Sequence, residues 1–194
     1  MTKKKAVPIP DIPELERELK RERYKHTYRR TLRSTLYALI TVAAVAILVA
    51  MLWLPVLEIY GNSMAPTLEN GQIVLSVKNG QMRTGHVVAF YYNNKILVKR
   101  VIAQAGDWVN IDPEGNVYVN GAMLHEPYLQ ETALGECNIE LPYQVPESHV
   151  FVMGDHRSTS IDSRNTAVGC VTEDQIVGRL IMRIWPLADF GRIG

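Results

Sequence analysis

The 194-residue chain is poor in the residues that build metal cages and disulfide frameworks: two cysteines, Cys137 and Cys170, and five scattered histidines. Neither cysteine sits in a CxxC or Cys/His arrangement, so the spacing excludes a zinc site of the usual kind, and no cofactor is expected. Repeats and low-complexity tracts are absent as well. The most telling lack is of charge. From Ser34 to Leu57 there is no Asp, Glu, Lys or Arg, and the stretch is apolar almost without interruption through Met51-Leu52-Trp53-Leu54. It lacks the polar face of a core helix and is long enough to cross a bilayer, so residues 34–57 are read as a retained signal anchor with Trp53 suited to the membrane interface. A cleaved secretory signal would have a shorter apolar region and a small-residue exit, and none precedes Glu58.

The net charge of +1 conceals an asymmetry. Residues 1–33 carry +6 and the remainder −5. Arg29, Arg30 and Arg33 stand before the span and Glu58 after it, which by the positive-inside rule places the N-terminus in the cytoplasm and residues 58–194 outside, as a single-pass protein of the cell membrane. Glu and Lys/Arg alternate at helical spacings over 13–23, behind Pro8, Pro10 and Pro13, predicting a short cytoplasmic helix. Mixed charge beside a span points to the lipid bilayer as partner and away from nucleic acid.

Beyond the anchor the rhythm turns to short β-rich runs: Ile73–Val77, Val87–Tyr92, Ile96–Ala103, Val117–Val119, Val150–Met153 and Ile176–Trp185. These predict a mostly β domain, with hairpin turns at Asn93-Asn94 and Asn120-Gly121. Residues 122–148 hold three prolines and little periodicity, and read as a long excursion, a mobile or functional loop. The two cysteines fall on the side where a disulfide is chemically permitted, without a sign that they meet.

Three stretches could carry chemistry. Ser63 lies in Gly61-Asn62-Ser63-Met64-Ala65-Pro66-Thr67-Leu68; Gly61 lets backbone approach a substrate and leaves amides to receive an oxyanion. An arbitrary serine is more often a turn hydroxyl than a nucleophile, because activation needs a base within reach. Lys99 lies in Ile96-Leu97-Val98-Lys99-Arg100-Val101-Ile102, where alternation sends Leu97, Lys99 and Val101 to one face. Apolar face-mates and Arg100 would lower its pKa towards a neutral amine; the plainer reading is an edge lysine reaching water. Gly154 to Arg164 is dense in short polar side chains and suits an orienting network or, more plainly, a solvated loop.

In order, Gly61 to Leu68, Val98 to Arg100 with Gly106-Asp107, and Gly154 to Arg164 resemble the successive boxes of the bacterial type I signal peptidases, over the anchor and most of residues 58–186. The resemblance implies a membrane-anchored serine endopeptidase with an antiparallel β-sheet catalytic domain that removes signal peptides of exported preproteins after small residues at −3 and −1, near the secretion translocon. It implies Ser63 as nucleophile and Lys99 as general base, Ser160 holding the lysine amine, Asp162 and Arg164 as the pair beneath the site, and Asp155 and Arg157 as structural. Ile59, Gly61, Met64, Leu68, Leu97 and Val98 would bind substrate. Gly61 stands where one branch of the family has a serine donating to the oxyanion, as in the Gram-positive-like branch; Gln72 and His156 are further departures. The rivals are a self-cleaving repressor-type peptidase, which should carry a DNA-binding domain where the apolar run stands, and an inert anchored β domain.

Overall fold

The structure, a computed structural model, describes residues 11–78 and 82–193 apart from the side chains of 50–53. Pro8, Pro10 and the Trp53 side chain lie outside the described set. The chain divides into two units, residues 1–50 and 51–194.

A single helix, α1 (Ile12–Trp53), runs through both the charged 13–23 stretch and the apolar run. The two were expected as separate elements; no helix breaker lies between Glu14 and Trp53 to part them. It contains a window of mean hydropathy 2.0 and is the one helix among the described residues long and apolar enough to cross a membrane. Pro55, which has no N–H to donate, follows closely on its end. The expected anchor of 34–57 thereby runs past the helix: Val56 and Leu57 already belong to a strand, β1 (Val56–Glu58).

The rest is mostly β. In chain order the strands are β2 (Ile73–Val77), β3 (Val87–Tyr92), β4 (Lys95–Ala103), β5 (Trp108–Ile111), β6 (Val117–Val119), β7 (Ala122–Met123), β8 (Tyr143–Gln144), β9 (His149–Met153), β10 (Val171–Thr172), β11 (Ile176–Trp185) and β12 (Gly191–Arg192). An eight-stranded sheet runs β1-β2-β11-β3-β4-β9-β10 with β12 on β11, and a four-stranded sheet runs β7-β6-β5-β8. Every pairing is antiparallel. Both expected hairpin turns form: Asn93 and Asn94 have φ of 43° and 63°, Asn120 and Gly121 of 53° and 81°. Positive φ at both central residues matches the right-handed twist of the flanking strands.

Alternation along β4 divides its side chains as expected. Leu97 and Val101 pack with Val88, Phe90 and Val152, whereas Val98 joins Ile59, Met64, Leu68 and Ala89. Register shifts within β11 and between Val101 and Ala103 of β4 mark bulges that bend the large sheet. A third cluster, around Ile102, Val109, Val117 and Phe151, joins the small sheet to the large one. Cys137 and Cys170 are both free, and burial raises the Cys170 thiol to about 11.

The 122–148 excursion is a strap rather than a free loop. Leu124, Leu134, Ile139 and Leu141 pack on the third cluster, and β8 returns to pair with β5. Three buried arginines hold the segment by its polar atoms: Arg157 pairs with Glu126, Arg164 donates to Leu134 O at 2.7 Å, and the Tyr128 ring covers Arg100 at 3.8 Å. Proline and irregular spacing hide this from the sequence, because the anchoring groups are isolated side chains and carbonyls with no period.

Candidate active site

Ser63 begins a tight turn that the hydrophobic core holds from below. Leu68 N donates to Met64 O at 2.9 Å and Ala65 N to Asn62 O at 3.0 Å, while the Met64 and Leu68 side chains are buried against Ile59 and Val74. Gly61 enters the turn at φ 84°, a conformation that disfavours a side chain, and its N–H donates to Asn70 Oδ1 at 2.9 Å. Among the described residues the Ser63 N–H has no acceptor within the protein.

Lys99 reaches this turn from the middle of β4, where it lies opposite Val88. It is 3% exposed, and its Nζ donates to Ser63 Oγ at 2.6 Å. Among the described residues it forms no ion pair. Desolvation of the ammonium is the main cause that brings its pKa from the ordinary 10.5 down to about 8; Asp162 opposes the shift and Arg164 favours it. The sequence points to neighbouring Arg100 as the helping cation. Arg100 is instead occupied with Asp155, to which it donates from Nε at 2.9 Å and Nη2 at 2.7 Å.

The 154–164 loop closes the site from the other side. His156 N donates to Ser63 O at 3.1 Å, and Thr67 Oγ1 donates to Asp155 Oδ2 at 2.5 Å, so the loop grips the serine turn at two points. A Cβ on Gly154 would collide with Ser160 Oγ and the Ser63 carbonyl, which explains glycine there. Below, Arg164 holds Asp162 with Nε and Nη2, both at 2.8 Å, and Gly154 N donates to the same carboxylate at 2.9 Å. Burial opposes the Asp162 charge, but the Arg164 hydrogen bond and charge and the Gly154 amide hold its pKa below the usual range.

A groove of about 640 Å³ opens beside the pair, between β1 and β4, which have three strands between them in the sheet order. Ile59, Gly61, Met64, Leu97 and Val98 line it together with Ser63 and Lys99. Two expected contacts are corrected. Leu68 does not line the groove; it is fully buried beneath the turn, in the same cluster as Ile59 and Met64. Among the described residues Ser160 Oγ makes no hydrogen bond to the lysine amine, and the Lys99 ammonium is directed to Ser63. Glu58 and Tyr60 line the groove within the 57–61 stretch expected beside the substrate, while Val56, Lys95 and Ile96 are groove residues that the sequence does not reveal. Val56 was hidden in the tail of the apolar run, and only the folded sheet brings it opposite β4. Nor does the sequence reveal Thr67, Glu126 and Tyr128 as supports, for which no local pattern speaks.

The chain is similar to proteins already known. Residues 32–185 match the family described as signal peptidase, peptidase S26. Signal peptidase IB of Staphylococcus aureus is 39% identical over 152 residues, 68% of this chain and 78% of that protein. The chloroplastic thylakoidal processing peptidase 1 of Arabidopsis thaliana is 32% identical over 146 residues, 66% of this chain and 41% of that protein. A crystal structure of a signal peptidase I from Enterococcus faecalis superposes with a TM-score of 0.43 at 27% identity, covering 52% of this chain and 97% of that one. With a family match that takes in the end of α1, the serine turn, β4 and the 154–164 loop, the chain belongs to the signal peptidase family, peptidase S26, and is a serine protease of signal peptide removal.

Proposed function

We propose that Ser63 and Lys99 form the catalytic dyad and that the enzyme cuts exported precursors after small residues at −3 and −1. The observation that carries this reading is the 2.6 Å contact between Ser63 Oγ and a buried lysine without a carboxylate partner. A lysine near pKa 8 is neutral in a useful fraction of molecules at mildly alkaline pH, and can take the serine proton as the oxygen attacks the scissile carbonyl. The Ser63 N–H, free of any acceptor in the protein among the described residues, would donate to the tetrahedral oxyanion; the Gly61 N–H is committed to Asn70. The lysine ammonium then gives its proton to the leaving amine, an acyl-serine remains, and Lys99 takes a proton from the water that releases it.

The groove supports the choice of substrate. An extended segment laid between β1 and β4 would place alternate side chains against its walls. Ile59, Met64, Leu97 and Val98 give that groove apolar walls, which suit a small apolar side chain such as alanine better than a polar one. Asp162 and Arg164 act here as the pair that fixes the loop under the dyad. The basic residues before the apolar stretch of α1 would keep the N-terminus cytoplasmic and the catalytic unit outside, near the translocon that delivers its substrates.

Separate Ser63→Ala and Lys99→Ala variants assayed on a precursor bearing Ala-x-Ala test the dyad. Loss of about a thousandfold or more in each is expected; cleavage retained by either purified variant refutes the assignment.

A further inference from the structure

In the unit of residues 51–194, two hollows beside the groove are contiguous. A cavity of about 230 Å³ is lined by Ala65, Gln130, Glu131, Asp155 and His156. A larger groove of about 720 Å³ shares Gln130 and Glu131 with it and extends along the excursion past Leu129 and Leu124 to Met123 on β7. The cavity begins two residues after Ser63, whereas the substrate groove holds Ser63 and Met64 themselves. The serine turn thus has a hollow on each side of it.

The chemistry of the two sides differs. The groove walls near Ser63 are apolar, while the cavity offers polar groups with spare capacity. Among the described residues His156 Nδ1 is buried without a hydrogen-bond partner, a state that costs free energy unless something supplies one. Asp155 is neutralised by Arg100 and Glu126 by Arg157, and Glu131 forms no ion pair among the described residues. The cavity therefore presents one uncompensated carboxylate. The larger groove reaches β7, the terminal strand of the small sheet, whose exposed edge can accept an extended chain.

Resting on the reading of Ser63 as nucleophile, we propose that this cavity receives the first residues of the mature protein, those following the cut bond, and that the groove along 122–132 leads that chain away. A polypeptide whose preceding residues fill the β1–β4 groove must cross the serine turn to present its carbonyl to Ser63 Oγ, and the cavity is the hollow it meets there. His156 then gains a partner from the substrate, and Glu131 makes the enzyme favour a basic over an acidic side chain just after the cut. The excursion is in this view the outgoing wall of the active site.

The test compares two forms of one precursor, with Lys or Asp as the second residue of the mature part, cleaved by the full-length protein in detergent at low ionic strength. The wild type should favour the Lys form in kcat/KM by about fivefold, the scale of one exposed ion pair. Glu131→Gln should bring the two forms within about twofold, and Glu131→Lys should reverse the preference, a gain on the Asp form that misfolding cannot mimic. The same preference in all three proteins overturns the proposal and assigns the hollow to some other occupant. Failure of the underlying reading looks different: Ser63→Ala would continue to cleave both forms, whatever residue 131 does.

Discussion

Four long cations are buried among the described residues of the catalytic unit, and one stands apart from the other three. Arg100, Arg157 and Arg164 are each paired with a carboxylate, and Arg164 also binds the carbonyls of Leu134 and Arg157. Lys99, on β4, has no such partner and spends its hydrogen bond on the Ser63 hydroxyl. The same burial has opposite outcomes. A planar guanidinium held by two parallel bonds stays charged and ties segments together, whereas an unpaired ammonium is pushed towards neutrality and becomes able to accept a proton. The 154–164 loop and the excursion use buried charge for position; on β4 it leaves an amine fit for the role proposed for Lys99.

The largest effect that sharpens this contrast is in the pH profile. With Lys99 at about 8, kcat/KM should climb as the ammonium deprotonates, by about tenfold per pH unit below that value, and level off above it. An ascending limb near 10.5 would put Lys99 among the ordinary lysines and erase the difference.

Removing a partner from the paired side comes next. Asp162→Ala strands Arg164 in a fully buried setting, and a loss of about 3–5 kcal/mol is expected in thermal or denaturant unfolding. Stability near that of the wild type would show that the pair does not hold the loop.

The opposite sign is expected on the unpaired side. The Lys99 pKa is lower folded than unfolded, so at pH 7 the folded state carries the full cost of burying the ammonium, and stability rises as pH climbs from about 8 to 10.5. Lys99→Met should therefore abolish cleavage yet stabilise the fold at pH 7, by up to about 3 kcal/mol, an advantage that shrinks at alkaline pH. A destabilised Lys99→Met protein would mean that the lysine, too, is structural.

The smallest effect concerns Tyr128. Its ring lies over Arg100 and its hydroxyl donates to Glu126 at 2.6 Å. Tyr128→Leu should cost about 1–2 kcal/mol of stability, and Tyr128→Phe less, because only the former removes the ring from the cation. Equal losses in both would place the contribution in the hydroxyl.

Much of this architecture was legible along the chain where structure is local. Ile73–Val77, Val87–Tyr92, Val117–Val119 and Ile176–Trp185 have the bounds that their β-branched and aromatic runs indicate, and the Asn-Asn and Asn-Gly turns sit where φ must be positive. The short strands β5, β7, β8 and β10 were not legible, since unlike Val117–Val119, which stands out by its Val-Tyr-Val run before an Asn-Gly turn, they carry no pattern of their own and exist because a neighbour pairs with them. The excursion failed for the same reason. Its order comes from contacts with Arg100, Arg157 and Arg164, which lie 30 or so positions away in sequence or more. In the site, Ser63 and Lys99 stood out by residue type and setting, whereas Asp162, Arg164, Ser160 and Leu68 took their roles from the family resemblance; where the Ser160 hydroxyl is turned and that Leu68 lies beneath the groove depend on the packing, since type cannot say which way a side chain is turned.

By itself the amino-acid sequence determined an apolar helix, a β-rich remainder, and a serine and a lysine 36 positions apart in settings suited to reactive groups. Those features follow from local sterics, solvation and residue chemistry. Only the tertiary structure decided that the serine and lysine touch, that the lysine is dry while the arginines around it are paired, and that those arginines hold the excursion. Such facts depend on distances between residues remote in sequence, and these are set by the packing of the whole sheet.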